Sequence, residues 1–293
     1  MFTSKAFWSE KVMKQIVTSV LLFFGLILLP VIASSGVMAQ GNLLITPRRV
    51  VFEGNKKTEE LNLANTGADS ATYNVSFVQY RMKEDGSFEE IKVPDPGQNF
   101  ADKNIRFFPR TVTLAPNESQ VVKMQVFRTT ELPAGEYRSH VYFRALPKQT
   151  ALGEADAPKD SSALSVKLVP IFGITIPVII RTGTTSAEVT LSDLSFQVLN
   201  DTLPRLNLTF NRTGNKSVYG DIDVSHVSVA GKKTQVGSIR GIAVYTPNLI
   251  RRVKMDLLRI PGVDFKIGKL QVTYSGEVEA KQVKYADTEL LLK

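Results

Sequence analysis

Few residues of this chain could carry out chemistry. Its two histidines, His140 and His226, fall in different predicted domains, and two lone histidines make a poor metal site, so we expect structural roles for both. Glu89 and Glu90 are adjacent, so in a strand they face opposite sides and cannot act as an acid–base pair. A nucleophile elbow and a phosphate loop are both absent. The sequence therefore predicts a protein that is not an enzyme and uses no metal or cofactor, and a carbohydrate-active enzyme is the weakest alternative.

The arginine pair Arg48 and Arg49 gives a better signal, and the signal is for binding. The two residues belong to the predicted first strand, so they face opposite sides of it and one of them is solvated. The other of the two can point into a cleft between two domains, where a guanidinium suits bidentate capture of a carboxylate. The alternative is an exposed charge at a sheet edge, which protects against aggregation.

The start of the chain has the three parts of a secretory signal. Lys5, Lys11 and Lys14 precede an apolar run over residues 16–33, and Ala39 ends a stretch of small residues that a signal peptidase accepts. We expect residues 1–39 to be removed on export to the periplasm, and a retained membrane anchor is the alternative. No later segment is long and apolar enough to span a bilayer after that removal.

Length, charge and composition limit the remaining functions. A chain of 293 residues suits two domains, and without cysteine both must depend on hydrophobic packing. The formal charge of +8 favours acidic surfaces as partners. Nucleic acid is not expected, because the basic residues are scattered and the chain carries an export signal.

The elements that must position these residues are β-strands. Residues 43–144 contain about seven short alternating segments separated by Gly, Pro, Asn and Asp, and the pattern repeats from residue 184 to the end. This predicts an all-β protein with two immunoglobulin-like β-sandwich domains, at residues 40–182 and 183–293. Within the first domain, the polar stretch 147–162 is predicted to be a flexible loop, with an interdomain linker as the alternative.

The segment 163–181 that follows this loop is predicted to be one long strand. Leu164, Val166 and Leu168 alternate with Ser165 and Lys167, which gives the first half one apolar face. The second half is apolar on both faces and is predicted to be core and domain connection. The first half can therefore either fill a core or offer its apolar face to a partner.

Four segments in the first half of the chain resemble landmarks of a known family, the PapD-like periplasmic chaperones of pilus assembly. These segments are 46–54 (TPRRVVFEG), 61–67 (LNLANTG), 107–119 (FFPRTVTLAPNES) and 132–143 (LPAGEYRSHVYF), with a weaker match at 206–220. The chain departs from the family in three respects. Members have a lysine near the end of the strand they donate, where this chain has residues 172–174, and they have an asparagine before the long loop, about where this chain has Arg144. The ending at 176–178 (IPV) resembles divergent members. The resemblance is therefore to a divergent member.

This resemblance implies two immunoglobulin-like domains set at an angle and an ATP-independent chaperone. Such proteins lend the last strand of the first domain to a secreted pilin-like or fibre subunit that lacks one of its own. The donor positions would be Leu164, Val166, Leu168, Pro170 and Phe172, and Arg49 would hold the terminal carboxylate of the client. An outer-membrane usher is the other implied partner, and self-capping dimers are compatible with the family. The alternative function is a structural or adhesive cell-surface protein with the same two sandwiches.

Overall fold

The computed structural model of the protein describes residues 43–147, 171–278 and 281–293. The predicted signal sequence lies outside these residues, as does nearly all of the predicted loop. So do four of the five predicted donor positions, Leu164, Val166, Leu168 and Pro170. Within the described ranges, no helix has the length and hydropathy needed to cross a membrane.

The first half of the described chain forms two sheets that face each other. Their orders are β1-β3-β9-β7 and β2-β11-β10-β4-β8, and β5 and β6 form a separate hairpin. The strands are β1 (Leu43–Thr46), β2 (Val50–Phe52), β3 (Thr58–Asn65), β4 (Ala71–Val78), β5 (Tyr80–Met82), β6 (Phe88–Glu90), β7 (Ile105–Phe108), β8 (Thr111–Leu114), β9 (Ser119–Val126), β10 (Gly135–Ala145) and β11 (Gly173–Thr182). Alternation produces the core: in β3, Leu61 and Leu63 are buried and Asn62 between them is exposed.

The predicted first strand is divided between the two sheets. β1 pairs antiparallel with β3 in one sheet, and β2 pairs parallel with β11 in the other. Pro47 lies between them and has no N–H to continue a ladder, which suits a point where the chain changes sheets. The prediction that Arg48 and Arg49 lie within a strand is therefore wrong, because both belong to this short connection.

The second half forms another sandwich, with sheet orders β12-β13-β16 and β15-β14-β17-β18. Its strands are β12 (Ala187–Leu199), β13 (Leu203–Gly214), β14 (Val218–Val227), β15 (Lys233–Val244), β16 (Ile250–Asp256), β17 (Lys269–Val278) and β18 (Lys281–Leu291). A separate apolar core, which includes Phe210 and Tyr274, lies between these sheets. The prediction of an all-β protein with two immunoglobulin-like sandwiches is confirmed.

One glycine, Gly276, lies in the interior of strand β17. A side chain at Gly276 would meet the carbonyl oxygen of Tyr219 at 2.7 Å and also the ring of Tyr285. This glycine therefore permits close packing within the sheet and does not mark a turn.

The hairpin formed by β5 and β6 joins the two sandwiches. Met82 is buried against Tyr245 of the second sandwich, and its carbonyl accepts a hydrogen bond from Asn248 Nδ2 at 2.6 Å. The backbone N–H of Arg252 donates to the carbonyl of Glu84 at 2.6 Å. The hairpin thus fixes one sandwich against the other by both apolar packing and hydrogen bonds.

Candidate functional site

A cavity of about 1360 Å³ lies between the two sandwiches. Arg49, Glu53 and Arg181 line it from the first sandwich, and Lys216 and Tyr219 are among the residues that line it from the second. Arg49 comes from the connection between β1 and β2, and Arg181 from the end of β11. The first sandwich thus lines the cavity with the connection between its two sheets and with the end of the strand that leads to the second sandwich.

The buried carboxylate of Glu136 is the centre of the polar contacts beside this cavity. Its side chain is fully buried, and it accepts hydrogen bonds from Arg138 Nη1 at 2.9 Å and Arg181 Nε at 3.2 Å. From the second sandwich it accepts the Ser217 N–H at 2.9 Å and a short hydrogen bond from the Ser217 hydroxyl. The carboxylate thus ties two strands of one domain to a turn of the other.

Arg138 extends the same contacts into the second sandwich. Its Nη2 donates to the carbonyl of Thr246 at 2.6 Å, its Nη1 donates to Ser217 Oγ at 2.8 Å, and its guanidinium lies 3.9 Å from the ring centre of Tyr245. Because Glu136 and Arg138 are two residues apart in β10, they project from the same face of that strand.

The pKa values follow from this burial and pairing. Burial opposes ionisation of Glu136, but Arg138, Arg181 and the hydrogen bonds from Ser217 outweigh it and hold the pKa of the carboxyl below its usual value. Burial lowers the pKa of Arg138, and the carboxylate of Glu136 opposes that shift. Both groups are therefore charged at neutral pH, as a mutually satisfied buried pair.

Arg49 differs from the other cleft arginines because it has no carboxylate partner among the described residues. It is partly buried, its guanidinium lies 4.7 Å from the ring centre of Tyr219, and its buried Nε has no hydrogen-bond partner. Burial lowers its pKa, and the nearby Arg181 lowers it further. Arg48, its neighbour, is exposed. An unpaired guanidinium lining a cavity can accept a carboxylate from outside the chain.

Arg181 is the cleft residue that sequence reasoning missed. The resemblance places the second cleft cation near 172–174, where there is none, but Arg181 lines the same cavity as Arg49. Its Nη1 also donates to Glu53 at 3.1 Å. One signal could have identified it, because Arg181 is the first charged residue after the apolar run of β11.

The outer edge of β11 is open over half its length. β10 pairs with β11 from Gly173 to Thr182, whereas β2 covers the opposite edge only at 178–180. Among the described residues, 173–177 therefore have no strand partner on that side. By the parallel register in which Val50 pairs with Val178, Arg49 stands level with Pro177, at the point where the free edge begins.

Phe172 is the one predicted donor residue that the structure describes. It lies just before β11, it is 39% exposed, and its carbonyl accepts the N–H of Ala145 at 2.9 Å. Phe172 precedes Ile174 by two residues and Ile176 by four, so in an extended segment the three side chains lie on the same side. The side chains of Ile174 and Ile176 pack against or within the first core. The other four donor positions lie outside the described residues.

The remaining candidate residues do not come together. Glu89 and Glu90 are exposed on β6, and Arg81 binds Glu89 at 3.5 Å. His140 and His226 are both buried, in the first and second sandwich respectively. In the described part of the chain, no group of three or more metal-ligating side chains could hold a metal ion.

His140 has an expected effect on acid stability. It is 5% exposed and packs against Tyr80 and Tyr245, and burial, with Arg138 second, lowers its pKa to about 3. The unfolded chain binds a proton at this residue below about pH 6.5, whereas the folded chain does not until about pH 3. Stability is thus fully present above the unfolded value and is lost as the pH falls toward the folded value.

We therefore expect His140→Phe to lose less stability than the wild type between about pH 7 and about pH 5, by about 2 kcal/mol. Urea unfolding at both pH values measures the difference, and the contribution of Glu136, which is common to both proteins, cancels. His140→Gln serves as a second variant if Phe disturbs the packing. Equal acid sensitivity in wild type and variants would show that His140 is not held neutral.

Comparisons with known proteins agree with the fold. No protein-family model matches the sequence, and no curated protein matches it significantly. Among solved structures, the YadV chaperone is 12% identical, with a TM-score of 0.44 over 86% of this chain and 100% of that chain. The class 5 fimbriae chaperone CfaA is 14% identical, with a TM-score of 0.38 over 86% and 99% of the two chains.

A third similar structure is the complex of the CsuC chaperone with the CsuE tip adhesion subunit, from the archaic chaperone–usher Csu pili of Acinetobacter baumannii. The matched chain is 14% identical, with a TM-score of 0.41 over 83% of this chain and 98% of that chain. At these identities and TM-scores the similarities assign neither a family nor a function to the chain.

Proposed function

We propose that this protein is a periplasmic, ATP-independent chaperone that caps secreted fibre or pilus-type subunits by lending them the strand around β11. The observation that carries the proposal is the free edge at 173–177, which ends beside the unpaired guanidinium of Arg49. A free strand edge offers backbone N–H and C=O groups to a client strand, and alternate side chains fill the client's open groove. In the bound state we expect Leu164, Val166, Leu168, Pro170 and Phe172 to continue the register of Ile174 and enter that groove.

The position of Arg49 determines the direction of the client strand. A strand that runs parallel to β11 along 173–177 ends next to Pro177, so its terminal carboxylate meets the guanidinium of Arg49. An antiparallel strand would bring a terminal ammonium group to the same place, where Arg49 and Arg181 would repel it. The geometry therefore favours a parallel client with a free carboxyl terminus.

Subunits of this kind would be met after export, so the proposal includes removal of residues 1–39 and action in the periplasm. Among the similar structures are complexes of a chaperone with a tip adhesin or a pilin, which supports a subunit as the partner. An outer-membrane usher would receive the capped subunit, and a second copy of the chain could cover the free edge of β11 when no client is present.

Arg49→Ala is expected to weaken client binding about tenfold to a hundredfold, because a hydrogen-bonded charge contributes about 1.5–3 kcal/mol. The probe is a fluorescent peptide with the carboxyl-terminal sequence of a captured subunit, measured by anisotropy on the full chain. Amidation of the peptide terminus should weaken binding to the wild type equally and have no further effect on Arg49→Ala.

The matched control is Arg48→Ala, which removes the same charge from an exposed neighbour. It should bind both peptides as the wild type does. If Arg49→Ala and wild type lose the same affinity on amidation, Arg49 does not hold the carboxylate, although strand lending would still stand. A peptide that binds none of the proteins would count against the chaperone function itself.

A further inference from the structure

The strand register places several loops of the second sandwich together at the end remote from the cleft. β14 runs from Val218 near the cleft to Val227, and Val227 pairs with Lys269, which pairs with Leu291. The turn 228–232 and the loop 257–268 therefore lie beside the end of β18. Hydrogen bonds connect these segments: the N–H of Leu292 donates to Gly268 at 2.9 Å, and the N–H of Leu258 donates to Val236 at 2.7 Å. We term this end, residues 228–233, 257–268 and 291, the distal tip.

Large apolar side chains protrude from the distal tip. Val229 is 81% exposed, Leu291 70%, Leu258 64% and Ile267 52%. They come from three separate segments of the chain, so no single irregular loop explains them. Single exposed apolar residues are common on soluble proteins, but several concentrated at one end indicate a contact surface.

Unpaired cations accompany these apolar side chains. Lys232, Lys233, Arg259 and Lys266 are exposed, and within the described ranges none of them forms an ion pair. Arg259 instead donates to two backbone carbonyls at 2.6 and 2.8 Å. Within the tip itself one carboxylate, Asp264, accepts the N–H of Lys266 in a local turn. Three more adjoin the tip: Asp256 pairs with Arg205, Glu289 pairs with Lys269, and Asp201 is exposed. The distal tip is therefore both basic and apolar.

We propose that the distal tip binds the surface of an anionic lipid bilayer. Three of its exposed apolar side chains stand on the turn 228–232 and the loop 257–268, and the fourth, Leu291, ends β18. Because they come from separate segments of the chain, they suit a deformable layer into which each can insert separately. The cations around them match phosphate groups at the depth of the lipid headgroups. A rigid acidic protein would complement the charges but would leave the projecting apolar side chains uncovered or sterically opposed.

The first test places a fluorescent reporter on the tip. The test uses the exported chain, residues 40–293, which has no tryptophan because Trp8 lies in the predicted signal sequence. Val229→Trp in this chain should show a blue-shifted emission with vesicles of phosphatidylcholine and phosphatidylglycerol, and no shift with phosphatidylcholine alone. Val93→Trp is the matched control because Val93 is 73% exposed on the first domain, and its emission should not change. Unchanged emission at Val229, or an equal shift in both variants, would overturn the proposal.

The second test reverses the charges. Lys232→Glu combined with Lys266→Glu should lower binding to the anionic vesicles at least about a hundredfold in co-sedimentation, since each basic residue near an anionic surface contributes separately. Lys92→Glu combined with Lys103→Glu changes the charge equally at exposed sites of the first domain and should bind as the wild type does. If the variant with Lys232→Glu and Lys266→Glu binds the anionic vesicles as tightly as the wild type does, the proposal is wrong.

Polyglutamate provides the alternative ligand. If the wild type binds polyglutamate but not the vesicles, and the two substitutions at the tip abolish that binding, the tip binds an acidic polypeptide instead.

Discussion

Val166→Asp combined with Leu168→Asp is expected to abolish capture of a client subunit while the chain still folds. Each carboxylate would have to enter the apolar groove of the client without a partner, and burying an unpaired polar group costs about 2 kcal/mol or more. Two such groups lower the affinity by more than about a thousandfold. The measurement is the yield of the chaperone–client complex by size-exclusion chromatography after co-expression, with thermal unfolding followed by circular dichroism to check the fold.

The neighbouring positions provide the control for this experiment. Ser165→Asp combined with Lys167→Asp introduces the same two carboxylates on the other face of the proposed strand. These changes should leave capture nearly unchanged, because that face does not enter the groove. Equal loss in both double variants would mean that charge alone weakens binding, and undiminished capture by Val166→Asp with Leu168→Asp would exclude strand lending.

Glu136→Ala is expected to lower the free energy of unfolding by about 3–5 kcal/mol. The substitution leaves the guanidinium of Arg138, which is 3% exposed, buried without its carboxylate and removes the acceptor for Ser217 and Arg181. Most of this loss of stability comes from leaving the charge of Arg138 buried without a partner, and less of it comes from losing the ion pair itself. Urea unfolding at neutral pH measures it directly.

An exposed ion pair provides the comparison for Glu136. Glu289→Ala removes the partner of Lys269, which binds it at 2.7 Å with both side chains partly exposed, and should cost less than about 1 kcal/mol. Combining Glu136→Leu with Arg138→Leu removes both buried charges, so it should recover much of the stability lost in Glu136→Ala. Similar small losses at Glu136 and Glu289 would mean that water reaches the cleft and that the network is not structurally important.

Much of the fold could be predicted from the sequence, because the alternation of apolar and polar residues along a strand indicates which side chains are buried. Leu61 and Leu63 flank Asn62 in β3, and the structure buries the two leucines and exposes the asparagine. Gly276 could not be interpreted from the sequence in the same way. Its role depends on Tyr219 and Tyr285, which approach it from other strands, so the local sequence suggests a turn that does not exist.

The cleft was predicted only in part, for a similar reason. Arg49 could be proposed because the segment 46–54 resembles the family segment that carries a cleft arginine, although the structure places Arg49 in a short connection and not in a strand. Glu136 could not, since a buried carboxylate contradicts the usual pattern and one of its partners, Ser217, lies 81 residues away. Arg181 joins the cleft through its pairing opposite Glu136 on β10, which follows from strand register and not from local composition.

The hairpin of β5 and β6 has a consequence for how the molecule unfolds. It belongs to the first half of the chain, yet Met82 contributes to a small apolar cluster with Ala243 and Tyr245 of the second half. Cutting the chain near residue 183 would break this cluster apart. It would also remove the hydrogen bonds that Asn248 and Arg252 donate to carbonyls of the hairpin. Each sandwich has its own core, but the cut would expose apolar surface on both pieces, so we expect each sandwich to be less stable alone than in the whole chain.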